Sequence, residues 1–149
     1  MEILRQQFLR HIGQTSPSPM LVEVARAEGV CFFTPEGKRY YDIIAGVSVS
    51  NVGHGNPAVT EAVCRQARDY MHVMVYGELV ERPQVRYAAR IAEYLPAPLD
   101  AVYFVNSGAE AGEGARKLAK RFTGRRRMVA CRNAYHGSTH GAMSVMESR

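Results

Sequence analysis

The stretch Val105-Asn106-Ser107-Gly108-Ala109-Glu110 joins an apolar segment to an amphipathic one, and it decides how the chain is organised. Its spacing predicts a strand over residues 101–105 and a helix over residues 109–122. Unpaired N–H groups in the first turn of such a helix, together with the positive end of its dipole, bind phosphate. Ser107 followed by Glu110 also forms a capping box, which needs no ligand. This segment alone leaves both interpretations open.

A second glycine-rich stretch follows the apolar residues 128–131 and reads Asn133-Ala134-Tyr135-His136-Gly137-Ser138-Thr139-His140-Gly141. Ligands of open α/β sheets gather at the carboxyl ends of strands, so Tyr135 could stack on a planar cofactor there. It could equally be a packing residue. His136 and His140 have the i, i+4 spacing of metal ligands, but the glycines around them argue against the regular helix that this spacing needs. We therefore predict no metal site.

The order of elements along the chain predicts an α/β fold. Residues 101–105, 109–122 and 128–131 read as strand, helix and strand, which favours a right-handed parallel crossover. Such a pair of strands is not stable without neighbours, so the sequence looks unfinished. The upstream predictions are a helix over 2–12, a meander with strands in 21–27, 30–33 and 39–44, a glycine-rich loop over 46–56, and helices beginning at Pro57 and Arg82.

Composition limits the functional class. A chain of 149 residues with 46% hydrophobic and 22% charged residues suits one ordinary globular core, and it contains no apolar run long enough to cross a bilayer. The polar N-terminus lacks the apolar region of a secretory signal, so a cytoplasmic protein with no membrane partner is expected. Three widely spaced cysteines fit neither a disulfide framework nor a zinc site, and we predict that Cys31, Cys64 and Cys131 are buried, reduced packing residues.

A basic stretch between Arg116 and Arg132 contains eight lysines and arginines and no acidic residue. One hypothesis is a non-catalytic binding module that uses this stretch to bind nucleic acid or another polyanion. A solvated helix face explains the same charges, and no aromatic platform accompanies them, so we expect no nucleic-acid partner. A third interpretation is that the stretch faces parts of a longer protein.

Taken together, the two glycine-rich stretches resemble the class III aminotransferases, the family of the ornithine, acetylornithine, 4-aminobutyrate and ω-amine transaminases. Upstream residues carry the same resemblance in the same order. The matching segments are Val105 to Ala119, Ala134 to Thr139, Pro35 to Asp42, Gly46 to Val49, and Asn51 to Val59. Because these segments match in the same order over nearly the whole chain, the resemblance is specific.

The resemblance implies the N-terminal part of a fold type I pyridoxal-phosphate-dependent transferase. Residues 1–50 would form an N-terminal arm and the β-meander of the small domain. Residues 51–149 would begin the large domain, with its mainly parallel sheet and helices. The family transfers an amino group from a small-molecule amino donor to a 2-oxo acid, and its members are typically homodimers.

The resemblance also implies roles for particular residues. Ser107, Gly108 and Ala109 would hold the phosphate of pyridoxal 5'-phosphate, the last two through backbone N–H groups. Tyr135 would stack on the pyridine ring, with His136 beside it. Val47, Ser48, Tyr76 and Ser138 would lie on the substrate side of the pocket.

Two departures from the family qualify this expectation. Many members carry an arginine where this chain has Ser138, and the loss of that bidentate group favours ω-amine or other donors over an acetylornithine-type substrate. Transamination also needs a lysine that binds the cofactor covalently. Neither Lys38, Lys117 nor Lys120 stands in a matching context, so we expect no catalytic residue in this chain and no activity from it alone.

Overall fold

The computed structural model describes residues 2–147, with the backbone only for Glu2. The chain divides into two compact units, a first unit of residues 1–74 and a second unit of residues 75–149. The domain boundary predicted after residue 50 stays a prediction. In chain order, the elements are α1 (Glu2–His11), β1 (Arg26–Glu28), β2 (Cys31–Phe33), β3 (Arg39–Tyr41), α2 (Ala45–Ser48), α3 (Pro57–Asp69), α4 (Arg82–Ala92), α5 (Gly108–Thr123) and α6 (His140–Met143).

The predicted meander is confirmed as an antiparallel sheet in the order β1-β2-β3. Its register places Ala27 opposite Phe32 and Phe32 opposite Tyr40. The Phe32 and Tyr40 rings stack with centroids 5.2 Å apart, a cross-strand pair of the kind that stabilises small sheets. Gly37, with φ of +83°, closes the β2–β3 turn in a conformation that suits glycine. The strands are shorter than predicted, because the alternating residues 21–25 lie outside the ladder.

The helix α1 confirms the predicted amphipathic arm. Its apolar side chains Leu4 and Phe8, and Ile12 just after the helix, line a cavity of about 700 Å³ within the first unit. Met20 and Phe32 lie on the same cavity. An apolar helix face and an apolar strand residue thus face the same cavity in the first unit.

The three longer helices begin where the sequence predicts. Asn56 caps α3, since its Oδ1 accepts from the backbone N–H groups of Ala58 at 3.0 Å and Val59 at 3.3 Å. Pro57 then occupies the first turn, where a missing N–H costs nothing. α5 ends at Gly124, whose φ of +69° is the left-handed conformation typical of a glycine after a helix.

The glycine-rich loop contains an unusual turn. All four residues of α2 have positive φ angles: 49° at Ala45 and 62° at Gly46, Val47 and Ser48. Three of the four are not glycine, and left-handed helical backbone costs such residues roughly 1–2 kcal/mol each. α2 is therefore one turn of strained, left-handed helix where the sequence predicted only a loop.

The prediction of a parallel crossover is wrong for the structure as it stands. Residues 101–105 and 128–131 have no regular secondary structure, and neither segment belongs to a strand among the described residues 2–147. Parallel strands draw their stability from neighbours on both sides and from helices on both faces. The described residues give these two segments no such neighbours, so they remain without a ladder.

Few side chains are buried. Within residues 2–147, Cys31 and Ala142 are the buried hydrophobic residues. The chain exposes 13318 Å², against roughly 7,600 Å² for a globular protein of 16.6 kDa. All three cysteines are free, but the prediction that they are buried is wrong for Cys64 and Cys131, which are exposed. None of the helices in residues 2–147 has the length and apolar character that a membrane span requires.

Candidate functional site

The start of α5 is built by the predicted capping box. Ser107 Oγ accepts a hydrogen bond from the Glu110 backbone N–H at 3.1 Å. In return, Glu110 Oε2 accepts from the Asn106 backbone N–H at 2.7 Å, one residue before the usual position. The N–H groups of Gly108 and Ala109 belong to the first turn, which has no intrahelical partner for them. The cap therefore fixes the helix end and still leaves donors for an anion.

A cavity of about 880 Å³ opens beside this helix end. It is called the α5 cavity here, and its lining includes Ser107, Gly108, Ala109, Tyr135, His136 and Ser138. The structure thus brings together all five residues predicted to hold the cofactor, with one predicted substrate-side residue. The two stretches are separated by α5 and the basic segment in the sequence, so their meeting is a property of the fold.

Gly137 joins the two stretches by direct contact. It is buried, its φ is +114°, and a Cβ added to it would lie 2.5 Å from Ala109 Cβ and 3.2 Å from Ala109 Cα. Only glycine tolerates both that backbone angle and that approach. The loop carrying Tyr135 can therefore pack against the first turn of α5 because residue 137 has no side chain.

Glu113 provides a second link between the same two segments. Thr139 Oγ1 donates to Glu113 Oε1 at 2.7 Å and accepts from the Ala142 backbone N–H at 3.1 Å, which caps α6. The hydrogen bond from Thr139 is the main cause that lowers the pKa of Glu113 below its usual value, with Arg116 adding a smaller effect. The sequence analysis missed the role of Glu113. It could have identified Thr139 as the N-cap of α6, because threonine is a favoured residue at that position.

The ring of Tyr135 is available to a ligand. It is 76% exposed, and its hydroxyl lies 3.1 Å from Ser138 Oγ, where either oxygen can be the donor. The backbone N–H of His136 donates to Met146 Sδ at 3.1 Å. These contacts fix the loop at Tyr135 and His136 while most of the Tyr135 ring stays exposed.

The other predicted substrate-side residues lie elsewhere. Val47 and Ser48 belong to α2 in the first unit. Tyr76 is in the second unit, exposed in a turn, and does not line the α5 cavity. The assignment of these three residues to a substrate pocket stays a prediction.

The three lysines lie away from the α5 cavity. Lys117 and Lys120 are exposed on α5, and Lys38 lies in the β2–β3 turn with Nζ 4.7 Å from the centre of the Tyr40 ring. None of the three lines the α5 cavity. Across residues 2–147, no group of three or more His, Cys, Asp or Glu side chains is placed to hold a metal ion. The expected absence of a metal stays a prediction.

The basic stretch has local explanations in part. Lys120 and Arg121 lie in the last turn of α5, where positive charge is favourable to the helix dipole. Arg116 is half-buried on the α5 cavity, with a guanidinium nitrogen 3.7 Å from Glu113 Oε2. The polyanion hypothesis itself stays a prediction.

The chain is similar in sequence to known proteins along nearly all of its length. The family described as "Aminotransferase class-III" matches residues 12–149. Acetylornithine aminotransferase of Methanopyrus kandleri is 40% identical over 137 residues, covering 91% of this chain and 34% of that protein. Acetylornithine aminotransferase of Streptomyces coelicolor is 41% identical over 122 residues, covering 82% of this chain and 29% of that protein.

Solved structures agree with these matches. Adenosylmethionine-8-amino-7-oxononanoate aminotransferase from Methanocaldococcus jannaschii superposes with a TM-score of 0.89 at 25% identity, covering 97% of this chain and 36% of that one. An (S)-enantioselective omega-transaminase from Thermomicrobium roseum gives a TM-score of 0.86 at 32% identity, covering 97% and 35%. The chain thus spans about a third of the length of the curated relatives it matches.

Proposed function

Because the chain belongs to the class III aminotransferases, which use pyridoxal phosphate, we propose that it supplies the phosphate-binding and ring-stacking part of a transaminase. Membership confirms the predicted family, and the structural neighbours confirm the predicted fold class, the N-terminal part of a fold type I transferase. One observation carries the proposal: the first turn of α5 and the exposed ring of Tyr135 face the same cavity.

The residues of the α5 cavity fit the cofactor's chemistry. The Ser107 hydroxyl and the backbone N–H groups of Gly108 and Ala109 are donors for the phosphate, and the positive end of the helix dipole favours its charge. The open face of Tyr135 suits stacking on the pyridine ring, with His136 beside it. When bound, pyridoxal phosphate supplies an electron sink for bonds at the amino carbon of the substrate.

The same residues would restrict how the cofactor moves. Gly137 and the Glu113–Thr139 hydrogen bond fix the loop that carries Tyr135 to the helix that carries the phosphate donors. A cofactor bound at both ends is held in one orientation, which is the protein's main contribution to such reactions.

For the complete protein we propose transfer of an amino group from a small-molecule donor to a 2-oxo acid. The Ser138 hydroxyl pairs with Tyr135 and offers no bidentate cation for a substrate carboxylate. This favours ω-amine or similar donors at this position, although the curated relatives above are named acetylornithine aminotransferases.

We also propose that the lysine that binds the cofactor lies outside these 149 residues, so that this chain alone is inactive. Lys38, Lys117 and Lys120 do not line the α5 cavity. We further propose that the complete protein is a cytoplasmic homodimer. The large exposed apolar surface supports the dimer, in which the partner and the remaining residues cover these side chains.

Absorbance spectroscopy tests the proposed function. The complete gene product, mixed with pyridoxal phosphate, should show the visible absorbance of lysine-bound cofactor, and this band should move when an amino donor is added. Its absence would overturn the enzymatic proposal. The 149-residue chain should retain the cofactor without that band, because its three lysines lie outside the α5 cavity.

A matched control separates specific binding from reaction at surface lysines. Substituting Lys117 and Lys120 by arginine removes the two exposed lysines of α5 and keeps their charge. Cofactor retention should be unchanged in this variant and reduced in Ser107→Ala. Equal retention in both would mean that the α5 cavity is not the cofactor site.

A further inference from the structure

The left-handed turn α2 needs something to hold it. Ala45, Val47 and Ser48 all adopt positive φ angles that side chains disfavour. Each such residue shifts the local equilibrium toward a relaxed backbone by about tenfold. A turn with three of them persists only where surrounding interactions fix it.

Hydrophobic burial does not hold this turn. Ile43 is 92% exposed, Val47 82% and Val49 75%. In contrast, the side chains of Asp42 and His54, which flank the turn on either side, are only 16% and 25% exposed. The shielded groups of the segment are therefore polar, and the apolar ones face outward.

The two polar groups form a clasp across the base of the loop. One carboxylate oxygen of Asp42 accepts from the backbone N–H of Ala45, the first residue of α2, at 2.9 Å. The other lies 2.7 Å from Nε2 of His54. This pair is called the Asp42–His54 clasp here. It binds the start of the turn and the end of the loop to one carboxylate.

The clasp is anchored to the sheet. The backbone of His54 exchanges two hydrogen bonds with Gly29, at 2.9 and 2.7 Å, and the Asp42 N–H donates to the Val30 carbonyl at 2.9 Å. Gly53 approaches so closely that a Cβ there would lie 3.1 Å from the Gly29 carbonyl oxygen. Both ends of the loop are thus fixed to the turn between β1 and β2.

We propose that Asp42 and His54 are positioning residues that hold α2 in its left-handed form, so that Val47 and Ser48 are presented to the amino donor before it binds. The presentation of Val47 and Ser48 to an amino donor rests on the proposed function, whereas the holding of α2 by Asp42 and His54 does not. Hydrogen bonding by His54, and then by the Ala45 N–H, lowers the pKa of Asp42 below its usual value. The carboxylate that makes both contacts is therefore ionised at neutral pH.

Hydrogen exchange tests the clasp directly. The amides of Ser48 and Val49 are bonded within the turn, to the carbonyls of Ile44 and Ala45. In Asp42→Ala they should exchange about tenfold faster or more, while amides of the β2–β3 ladder change little. Asp42→Asn keeps an acceptor for the Ala45 N–H, so its exchange rates should lie between those of the parent chain and those of Asp42→Ala.

Relief of strain provides the matched control. Val47→Gly removes a side chain at φ +62°, and Val49→Gly removes the same side chain, similarly exposed, at φ −99°. In the Asp42→Ala background, Val47→Gly should restore protection of the turn and Val49→Gly should not. Equal effects of the two glycines, or no change in exchange on breaking the clasp, would overturn the proposal. If Asp42→Ala fails to fold, the two glycine variants in the parent chain still test whether α2 is strained. Only Val47→Gly should then slow amide exchange in the turn.

Kinetics of the complete enzyme tests the functional half. His54→Asn should raise KM for the amino donor about tenfold, because the left-handed form of α2 that binds the donor would be only a minor fraction of the molecules. The affinity for pyridoxal phosphate should change less than about twofold, since the α5 cavity keeps its own contacts. An unchanged KM with faster exchange would overturn donor presentation. No cofactor binding by the parent protein would overturn the proposed function, and the exchange result would still decide whether the clasp holds the turn.

Discussion

The first turn of α5 and the turn α2, which we propose serve the same reaction, are built in opposite ways. The α5 turn is relaxed: Ser107 caps it, and its open N–H groups are those of any helix start. α2 has positive φ at every residue and depends on Asp42 and His54. A relaxed helix end suits a phosphate, which is the same for every substrate. A strained turn held from outside suits a surface whose shape must be specific.

Gly137→Ala should have the largest effect on the relaxed region. The new methyl would meet Ala109 at 2.5 Å with φ at +114°. Strain and overpacking together should lower the free energy of unfolding by roughly 2–5 kcal/mol. Denaturant unfolding and retention of pyridoxal phosphate should both detect the loss.

Gly114→Ala is the control for that substitution. Gly114 lies within α5, and a Cβ there would meet nothing within 4 Å. Alanine should stabilise the helix by about 0.5–1 kcal/mol. If both alanines had the same effect, the close packing of Gly137 on Ala109 would be wrong.

Ser107→Ala should have an intermediate effect. Loss of the cap costs about 1 kcal/mol of stability, and loss of the hydroxyl donor should weaken cofactor binding about tenfold. Asn56→Ala removes the corresponding cap of α3, in the first unit. It should cost similar stability and leave cofactor affinity unchanged, as measured by titration with pyridoxal phosphate. If Ser107→Ala and Asn56→Ala lost equal affinity for pyridoxal phosphate, the loss in Ser107→Ala would be due to reduced stability and not to the missing hydroxyl donor.

The smallest expected effect is the contribution of the Glu113 carboxylate to stability at low pH. Its pKa is lowered in the folded protein, chiefly by Thr139. The carboxylate therefore contributes stability above its unfolded pKa of about 4.3, and this contribution is lost as pH falls through the lower folded value. Unfolding midpoints measured from neutral pH downward should fall less steeply in Glu113→Gln and Thr139→Val. Thr139→Ser, which keeps the hydroxyl, should follow the parent chain, and a parent-like slope in Thr139→Val would contradict the assigned cause.

The relaxed region was readable from the sequence, and the strained one was not. Ser107 with Glu110, and Asn56 with Pro57, are local patterns whose geometry follows from a few adjacent residues, and the structure has both. Ala45, Val47 and Ser48 carry no signal for positive φ, since the carboxylate that bonds to the turn belongs to Asp42 and is itself held by His54. The propensities of residues 45–48 do not reflect a hydrogen-bond partner that lies outside that segment.

The sheet shows the same division. The meander was predicted because its strands are adjacent and its turns contain Gly29 and Gly37. Segments 101–105 and 128–131 were predicted as paired strands, but a parallel ladder requires distant neighbours that apolar composition does not reveal. The contact of Gly137 with Ala109 was missed for a related reason, because a glycine required by packing looks like a glycine in any loop.

The meander also has a consequence for the order of events on the ribosome. It pairs Arg26 with Phe33 and Cys31 with Tyr41, so each hairpin closes between near neighbours. Hairpins form in about 1–10 μs, whereas synthesis adds about 5–20 residues per second. The sheet that anchors Asp42 and His54 can therefore form before Ser107 has been translated. We expect pulse-labelled nascent chains to protect the meander amides first, so that the turn α2 is shaped before the N–H groups of α5 exist and independently of the cofactor.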